Sequence, residues 1–107
     1  MQILRIKLQN EWNQYMLSNG ASFLQSWEWG EMQEEQGRRV ARIAVGDENE
    51  IVLAAQVIRH ELPLGFSYAY VPFGLVVAKK IAGDAAAVRE AVRLFTDKAK
   101  KTLGGFF

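Results

Sequence analysis

The chain is organised around the stretch Ser22-Phe23-Leu24-Gln25-Ser26-Trp27-Glu28-Trp29-Gly30-Glu31-Met32, which places three large aromatic side chains in a short segment. Ser26 is a favourable N-cap residue, and Glu28 and Glu31 would lie near the positive end of a helix dipole. Gly37 follows at a position where a left-handed residue commonly ends a helix. The pattern therefore predicts a helix between Ser26 and Gly37.

The faces of this helix follow from its spacing. Trp29, Met32 and Gln36 share one face, and we expect Trp29 to anchor the helix on a sheet. Three glutamates share another face: Glu28, Glu31 and Glu35. Such a row could bind a metal or supply acid and base groups, but three exposed glutamates on one stripe are more simply a solvated face.

Composition limits the class of protein. The chain has 107 residues, of which 50% are hydrophobic, so one compact domain with a core is expected. The formal net charge of +1 gives no bulk attraction to nucleic acid or to an anionic surface. The absence of cysteine excludes disulfides, thiolate zinc sites and thiol nucleophiles. The first twenty residues form neither a signal peptide nor a membrane span, so we expect a cytoplasmic protein without stable membrane insertion.

The rest of the sequence alternates between strand-like and helical patterns. Strand-like runs occupy residues 3–8, 38–45, 51–61 and 66–71, and helical runs occupy residues 10–19 and 84–103. Asn10 and Asp84 are the expected N-caps, residues 46–50 a long hairpin connection, and residues 62–65 a turn. These elements predict an α+β fold with a mixed, mostly antiparallel sheet flanked by helices.

The last residues resemble the start of another strand. Gly105, Phe106 and Phe107 follow the final helix, and a strand normally contains about five or six residues. The sequence therefore predicts that the chain is truncated within a structural element, as a fragment of a longer protein.

Few residues suggest catalysis. His60 is the single histidine, and in a strand-like run it is more simply structural than a base. The sequence has no glycine-rich phosphate loop, serine elbow or histidine pair. Five aromatic residues could line a ligand cleft or build the core: Trp27, Trp29, Tyr68, Tyr70 and Phe73. No catalytic residue, metal ligand or cofactor site is predicted.

Three segments together resemble a known family. They are Phe23-Leu24-Gln25-Ser26 through Trp29-Gly30, then Ala54-Ala55-Gln56, and finally Ser67-Tyr68-Ala69-Tyr70-Val71-Pro72 ahead of Gly74. This combination is similar to the amino-terminal half-domain of the Fem family (FemA, FemB and FemX) over residues 22–77, with the final helix in register. The resemblance implies that residues 1–107 form a GNAT-like half-domain of a longer two-domain protein.

The resemblance also implies a function. Fem proteins are aminoacyltransferases that use aminoacyl-tRNA to extend the peptide stem of a muramyl-peptide precursor, either soluble or lipid-linked, and so build the interpeptide bridge of peptidoglycan. The substrate lies in a cleft between the two domains, so the chain alone is expected to be inactive. The implied step is attack of an amine on an aminoacyl ester, for which the enzyme positions both substrates and stabilises the oxyanion. No coenzyme A signature is present, and no cofactor is implied.

The resemblance indicates substrate-binding positions as well. Gln33 stands where family members can carry a lysine that contacts the diphosphate of the precursor, and an amide brings no charge to this contact. Phe73 and Gly74 stand where the family tends to show a basic residue and glycine. The implied substrate-binding residues are Gln33, Trp29, Tyr70, Phe73 and Gly74.

Two alternatives remain open at the level of sequence. A non-catalytic α+β module could use exposed Trp and Tyr residues to bind a peptide or another protein. A different acyltransferase could share the half-domain, because a fold does not determine the substrate.

Overall fold

The elements follow one another along the chain as a short strand, two helices, a hairpin meander and a long helix. The structure is a computed structural model that describes residues 1–48 and 50–103. Within them lie strands β1 (Gln2–Leu4), β2 (Arg39–Asp47), β3 (Glu50–Glu61), β4 (Ser67–Tyr70) and β5 (Val76–Val77), and helices α1 (Gln9–Ser18), α2 (Trp27–Glu35) and α3 (Ala85–Leu103). Short 3₁₀ turns occupy Phe23–Gln25 and Pro63–Gly65.

The five described strands form one sheet in the order β1-β2-β3-β4, and β5 also pairs with β3. Every described pair is antiparallel, which confirms the predicted α+β class with a mostly antiparallel sheet. The β2–β3 connection is shorter than predicted, because β2 continues to Asp47 and β3 begins at Glu50. A bulge between Val45 and Gly46 keeps the strands paired. A Cβ atom on Gly46 would lie 1.9 Å from the Glu50 carbonyl oxygen, so this position requires glycine.

Helix α3 covers one face of the sheet. Its apolar stripe contacts alternate residues of β2 and β3, and the buried members of this core are Ala41, Ile43, Val45, Val52, Leu53, Ala55, Val57, Ala69, Ala91, Phe95, Ala99 and Leu103. The predicted cap is confirmed, because the Asp84 carboxylate accepts a hydrogen bond from the Ala87 amide at 3.1 Å. The predicted final strand lies outside the described residues.

Helix α1 packs on the opposite face, where Trp12 and Met16 contact Ala44 and Ala54. The predicted Asn10 cap is wrong, because the helix begins at Gln9, its N-cap residue is Leu8 and no side chain caps it. The predicted first strand is also too long, since β1 pairs with β2 only through Leu4 before the chain turns into α1. No helix within the described ranges is both long and apolar enough to cross a lipid bilayer.

Helix α2 lies beside α1 on the same face and corrects one prediction. The Ser26 hydroxyl caps it by accepting a hydrogen bond from the Trp29 amide at 3.2 Å, as expected. However, its buried residues are Gly30 and Gln33, whereas Trp29 is only half-buried and Met32 is 39% exposed. A Cβ atom at position 30 would lie 2.0 Å from the side-chain oxygen of Gln56. The helix therefore approaches the sheet through Gly30, and Trp29, the preceding residue, does not face the sheet.

Candidate functional site

The outer edge of β3 is interrupted where β4 gives way to β5. Both strands pair with β3, but Tyr70 pairs with Ile58 and Val76 with Ala54, so residues 71–75 leave the sheet as a bulge. The Gly74 amide donates to the Val71 carbonyl at 3.1 Å and closes a turn. Phe73 occupies its third position with φ of 58°, a left-handed conformation that usually requires glycine.

The side-chain amide of Gln25 fills the gap left by this bulge. Its oxygen accepts a hydrogen bond from the backbone N–H of Gln56 in β3 at 2.7 Å, and its nitrogen donates to the Pro72 carbonyl at 2.8 Å. These two bonds replace the ones that a continuous neighbouring strand would form. The Gln25 backbone carbonyl also accepts a hydrogen bond from the Trp12 indole at 2.8 Å, so this fully buried residue links α1, β3 and the turn.

A second buried amide fixes the start of α2. The Gln56 side chain donates to the Ser26 carbonyl at 2.7 Å and accepts from the Arg42 guanidinium at 3.1 Å. Arg42 in turn donates to the Trp27 carbonyl at 3.1 Å, and its guanidinium lies 4.0 Å from the centre of the Trp27 ring. Burial lowers the pKa of Arg42, and the charge of Glu34 partly offsets this effect.

Near the end of β3 distant from β5, an imidazole and two phenol rings form a three-membered cluster, in which the phenol rings lie 6.3 Å apart. His60 pairs across the sheet with Tyr68, and their rings are nearly parallel with centres 5.1 Å apart. The centre of the Tyr70 ring lies 4.9 Å from that of the same imidazole, and the two planes are tilted by 40°. The Nε2 atom of His60 is buried and has no hydrogen-bond partner among the described residues. We call Tyr68, His60 and Tyr70 the aromatic cluster.

The charge beside this cluster comes from Arg38. Burial and the positive charge of Arg38 lower the pKa of His60, so its imidazole is neutral at neutral pH. The Arg38 guanidinium donates to the side-chain oxygens of Gln33 at 2.9 Å and Gln36 at 2.6 Å. Both acceptors are neutral, and among the described residues Arg38 forms no ion pair. A positive charge is therefore held in place without an acidic partner.

The predicted site residues fall into two groups. Gln33 and Tyr70 lie with Arg38 and the aromatic cluster, whereas Phe73 and Gly74 form the turn of the strand break. Phe73 is 78% exposed and lines a cleft of about 400 Å³ that also includes Asn19.

Trp29 is the remaining predicted residue. Its ring contacts Phe23 edge to face at 6.2 Å, and its buried indole nitrogen has no hydrogen-bond partner within residues 1–48 and 50–103. It does not anchor α2 on the sheet.

Sequence analysis missed the importance of Arg38 and His60. The predicted four-residue turn would pair His60 with Ser67, whereas the observed connection of five residues, 62–66, pairs His60 with Tyr68. No pattern in the sequence signals that Gln33 binds Arg38 across the end of a helix. Within the described ranges, no three His, Asp or Glu side chains converge as a metal site, and the glutamates of α2 are exposed.

The comparison with known families concerns nearly all of the described chain. The sequence model of the FemAB family matches residues 8–103. The chain belongs to the FemAB family. The match confirms the resemblance predicted from the three segments, and it includes the strand break, Arg38 and the aromatic cluster.

A solved relative supports the same assignment. The chain resembles the crystal structure of FemX with a TM-score of 0.76 and 26% sequence identity. The similarity covers 94% of this chain but only 24% of the FemX chain, so the chain spans about a quarter of that relative. No curated protein shows significant sequence similarity to the chain.

Proposed function

We propose that this chain forms one wall of the acceptor-binding cleft of a FemAB-family aminoacyltransferase. The acceptor is a muramyl-peptide precursor of peptidoglycan, and the donor is an aminoacyl-tRNA, so the reaction takes place in the cytoplasm and contributes to cell-wall synthesis. Family membership and the likeness to FemX support this proposal. In it, the 107 residues are the amino-terminal half-domain of a two-domain protein, and the second domain completes the cleft.

The observation that carries the proposal is the uncompensated guanidinium of Arg38. The Fem resemblance places a phosphate-binding lysine at position 33, where this chain has Gln33. Instead, the Gln33 side-chain oxygen accepts a hydrogen bond from the Arg38 guanidinium at 2.9 Å. The positive charge beside position 33 therefore comes from Arg38, the residue just before β2. A guanidinium can form two parallel hydrogen bonds to phosphate oxygens, and neutral neighbours leave its charge available. We therefore assign Arg38 to the diphosphate and make Gln33 a positioning residue.

The aromatic cluster suits the rest of such an acceptor. Tyr68 is 43% exposed and presents a ring face on which a sugar or an apolar peptide side chain can pack. The neutral imidazole of His60 and the indole N–H of Trp29 form no hydrogen bond to any residue that the structure describes, and a hydrogen-bonding substrate would satisfy both groups.

The turn at Phe73 completes this part of the proposal. Its exposed ring replaces the basic residue of the family with an apolar contact, and Gly74 keeps the backbone close to the ligand.

The proposed reaction places modest demands on these residues. The acceptor amine attacks the ester carbonyl of aminoacyl-tRNA, an amide C–N bond forms, and the ester C–O bond breaks. The tRNA hydroxyl leaves and the amine loses a proton. The described residues bind and orient the acceptor, and none is assigned as a nucleophile. We expect residues 1–107 alone to bind precursor without transferring an amino acid.

Calorimetric titration with a nucleotide-linked muramyl-pentapeptide tests the assignment. An Arg38→Gln variant should bind about tenfold more weakly or worse, since a charge-assisted hydrogen bond contributes roughly 1.5–3 kcal/mol. Arg89→Gln is the matched control, because Arg89 lies exposed on α3. Absence of binding by both the natural chain and a Gln33→Lys variant would contradict the substrate assignment. Equal affinities of the Arg38 and Arg89 variants would contradict the role of Arg38.

A further inference from the structure

The tip of the β3–β4 hairpin presents three large apolar side chains to solvent. Leu64 is 93% exposed, Phe66 66% and Leu62 44%. The Leu62 amide donates to the Phe66 carbonyl at 2.7 Å, so the tip, residues 62–66, is a closed turn with defined geometry. Turns at hairpin ends are usually built from polar residues and glycine, and clustered apolar exposure marks an interaction surface.

Leu64 gains little from its position within the fold. Its φ of 68° is left-handed, which costs a side-chain-bearing residue about 1 kcal/mol or more and costs glycine almost nothing. Its side chain is also almost fully in water. The residue is therefore strained and unburied, and its exposed apolar side chain is available to a partner.

Basic side chains lie beside the base of this hairpin, where the C-terminal turn of α3 meets β2 and β3. The Arg59 guanidinium donates to the Leu103 carbonyl, and that of Arg39 donates to the Thr102 carbonyl at 2.9 Å, so the C-terminal turn of α3 lies beside the hairpin. The basic residues on these adjacent segments are Arg39, Arg59, Lys100 and Lys101, and the acidic one is Glu61. Arg59 pairs with Glu61 at 3.0 Å, which leaves a local excess of positive charge on a chain whose net charge is only +1.

We infer that this end of the molecule docks reversibly on an anionic lipid bilayer. The tip would insert Leu62, Leu64 and Phe66 among the headgroups, while the basic residues contact lipid phosphates. Apolar insertion combined with electrostatic attraction is the usual basis of peripheral binding, and three side chains give a weak, salt-dependent attachment. A protein partner would not explain the basic charge beside an apolar tip as directly.

Docking would also orient the cleft wall. His60 lies two residues before the tip begins, and Tyr68 lies two residues after it ends, so the aromatic cluster would face acceptors near the bilayer. This favours a lipid-linked acceptor over a soluble one, a step that rests on the proposed function. The docking itself does not depend on that function.

Co-sedimentation with vesicles tests the docking, using phosphatidylcholine with or without about one-third phosphatidylglycerol and no peptidoglycan precursor. The natural chain should bind the anionic vesicles, and added salt should weaken binding. The double variant Leu64→Gly, Phe66→Ser should bind about tenfold more weakly. Leu64→Gly suits the left-handed backbone, and circular dichroism checks that the fold is retained. Leu17→Ser, at a residue 78% exposed on α1, should bind like the natural chain.

A fluorescent label gives an independent measurement, because the chain contains no cysteine. A Leu64→Cys variant carrying an environment-sensitive dye should shift to shorter wavelength on anionic vesicles and be quenched by a lipid-borne quencher. The same dye in a Leu17→Cys variant should do neither. Absence of vesicle binding, or binding unaffected by the tip variant, would overturn the inference. A second result would also overturn it: sedimentation velocity detects a dimer that the tip variant abolishes, and the dye at position 64 shows no shift on vesicles. Failure of precursor binding would leave these results unchanged, so the two proposals fail separately.

Discussion

Replacing Gln25 with leucine should destabilise the fold more than most single substitutions. The change keeps roughly the same volume but removes both hydrogen bonds of the buried side-chain amide, at 2.7 Å and 2.8 Å. The backbone N–H of Gln56 and the Pro72 carbonyl then lose the Gln25 side chain as their partner, and each unsatisfied buried group costs about 1–3 kcal/mol. The backbone bond to Trp12 is retained. We therefore expect a loss of about 3 kcal/mol, a large part of the roughly 5–15 kcal/mol that stabilises a domain.

Urea unfolding followed by tryptophan fluorescence measures this loss. With a slope of about 1.5 kcal/mol per molar urea, the midpoint should fall by about 2 M. Gln14→Leu is the matched control, because Gln14 is exposed and makes only a 3.3 Å contact with the Ser18 hydroxyl. Its midpoint should change by less than about 0.5 M. A loss below about 1 kcal/mol for Gln25→Leu would refute the idea that this amide replaces strand pairing, since the freed groups would then have found other partners.

Three further predictions concern the same face of the sheet. Gly30→Ala should destabilise the fold by about 2 kcal/mol, because the new Cβ would lie 2.0 Å from the side-chain oxygen of Gln56. Urea unfolding measures this loss, and an unchanged midpoint would contradict the close approach. Phe73→Gly should raise thermal stability by roughly 1 kcal/mol, because glycine relieves the left-handed strain and the exposed ring buries little area; a lower melting temperature would show that the ring stabilises the turn. The pKa of His60 is lowered in the folded chain relative to the unfolded one. The free energy of unfolding should therefore be highest above pH 6.5 and should decline as the pH falls from 6.5 through the lower pKa of the folded state. Proton NMR of the single histidine measures that value, and a pKa above 6.5 would contradict burial beside Arg38.

Sequence reasoning predicted the long periodic elements well. Helix α3 and strands β2 and β3 have apolar patterns that packing reinforces, so pattern and structure agree. It failed for the buried face of α2, because that face is set by the one residue without a side chain, Gly30, where the helix meets Gln56. Periodicity of large residues cannot signal a contact made by glycine.

The candidate site was predictable only in part. The substrate-binding roles of Tyr70 and Gln33 stay predictions; the structure shows that Gln33 contacts Arg38 and that Tyr70 contacts His60. The chemistry of position 33 was not predictable, because the sequence shows an amide where a charge is expected. Only the three-dimensional contact shows that Gln33 binds Arg38, which lies between α2 and β2. The same applies to Gln25, whose role depends on a gap between two strand segments distant in sequence.

That gap has a consequence for how the protein can vary. Strand β4 and strand β5 are each held in register by β3, and a side chain from another element spans the space between them. The number of residues between Val71 and Val76 is therefore decoupled from the pairing on either side. Insertions after Phe73 can lengthen this turn without shifting the sheet, provided that the Pro72 carbonyl still reaches Gln25. The fold thus contains a position beside the proposed cleft where ligand preference can change at little cost in stability.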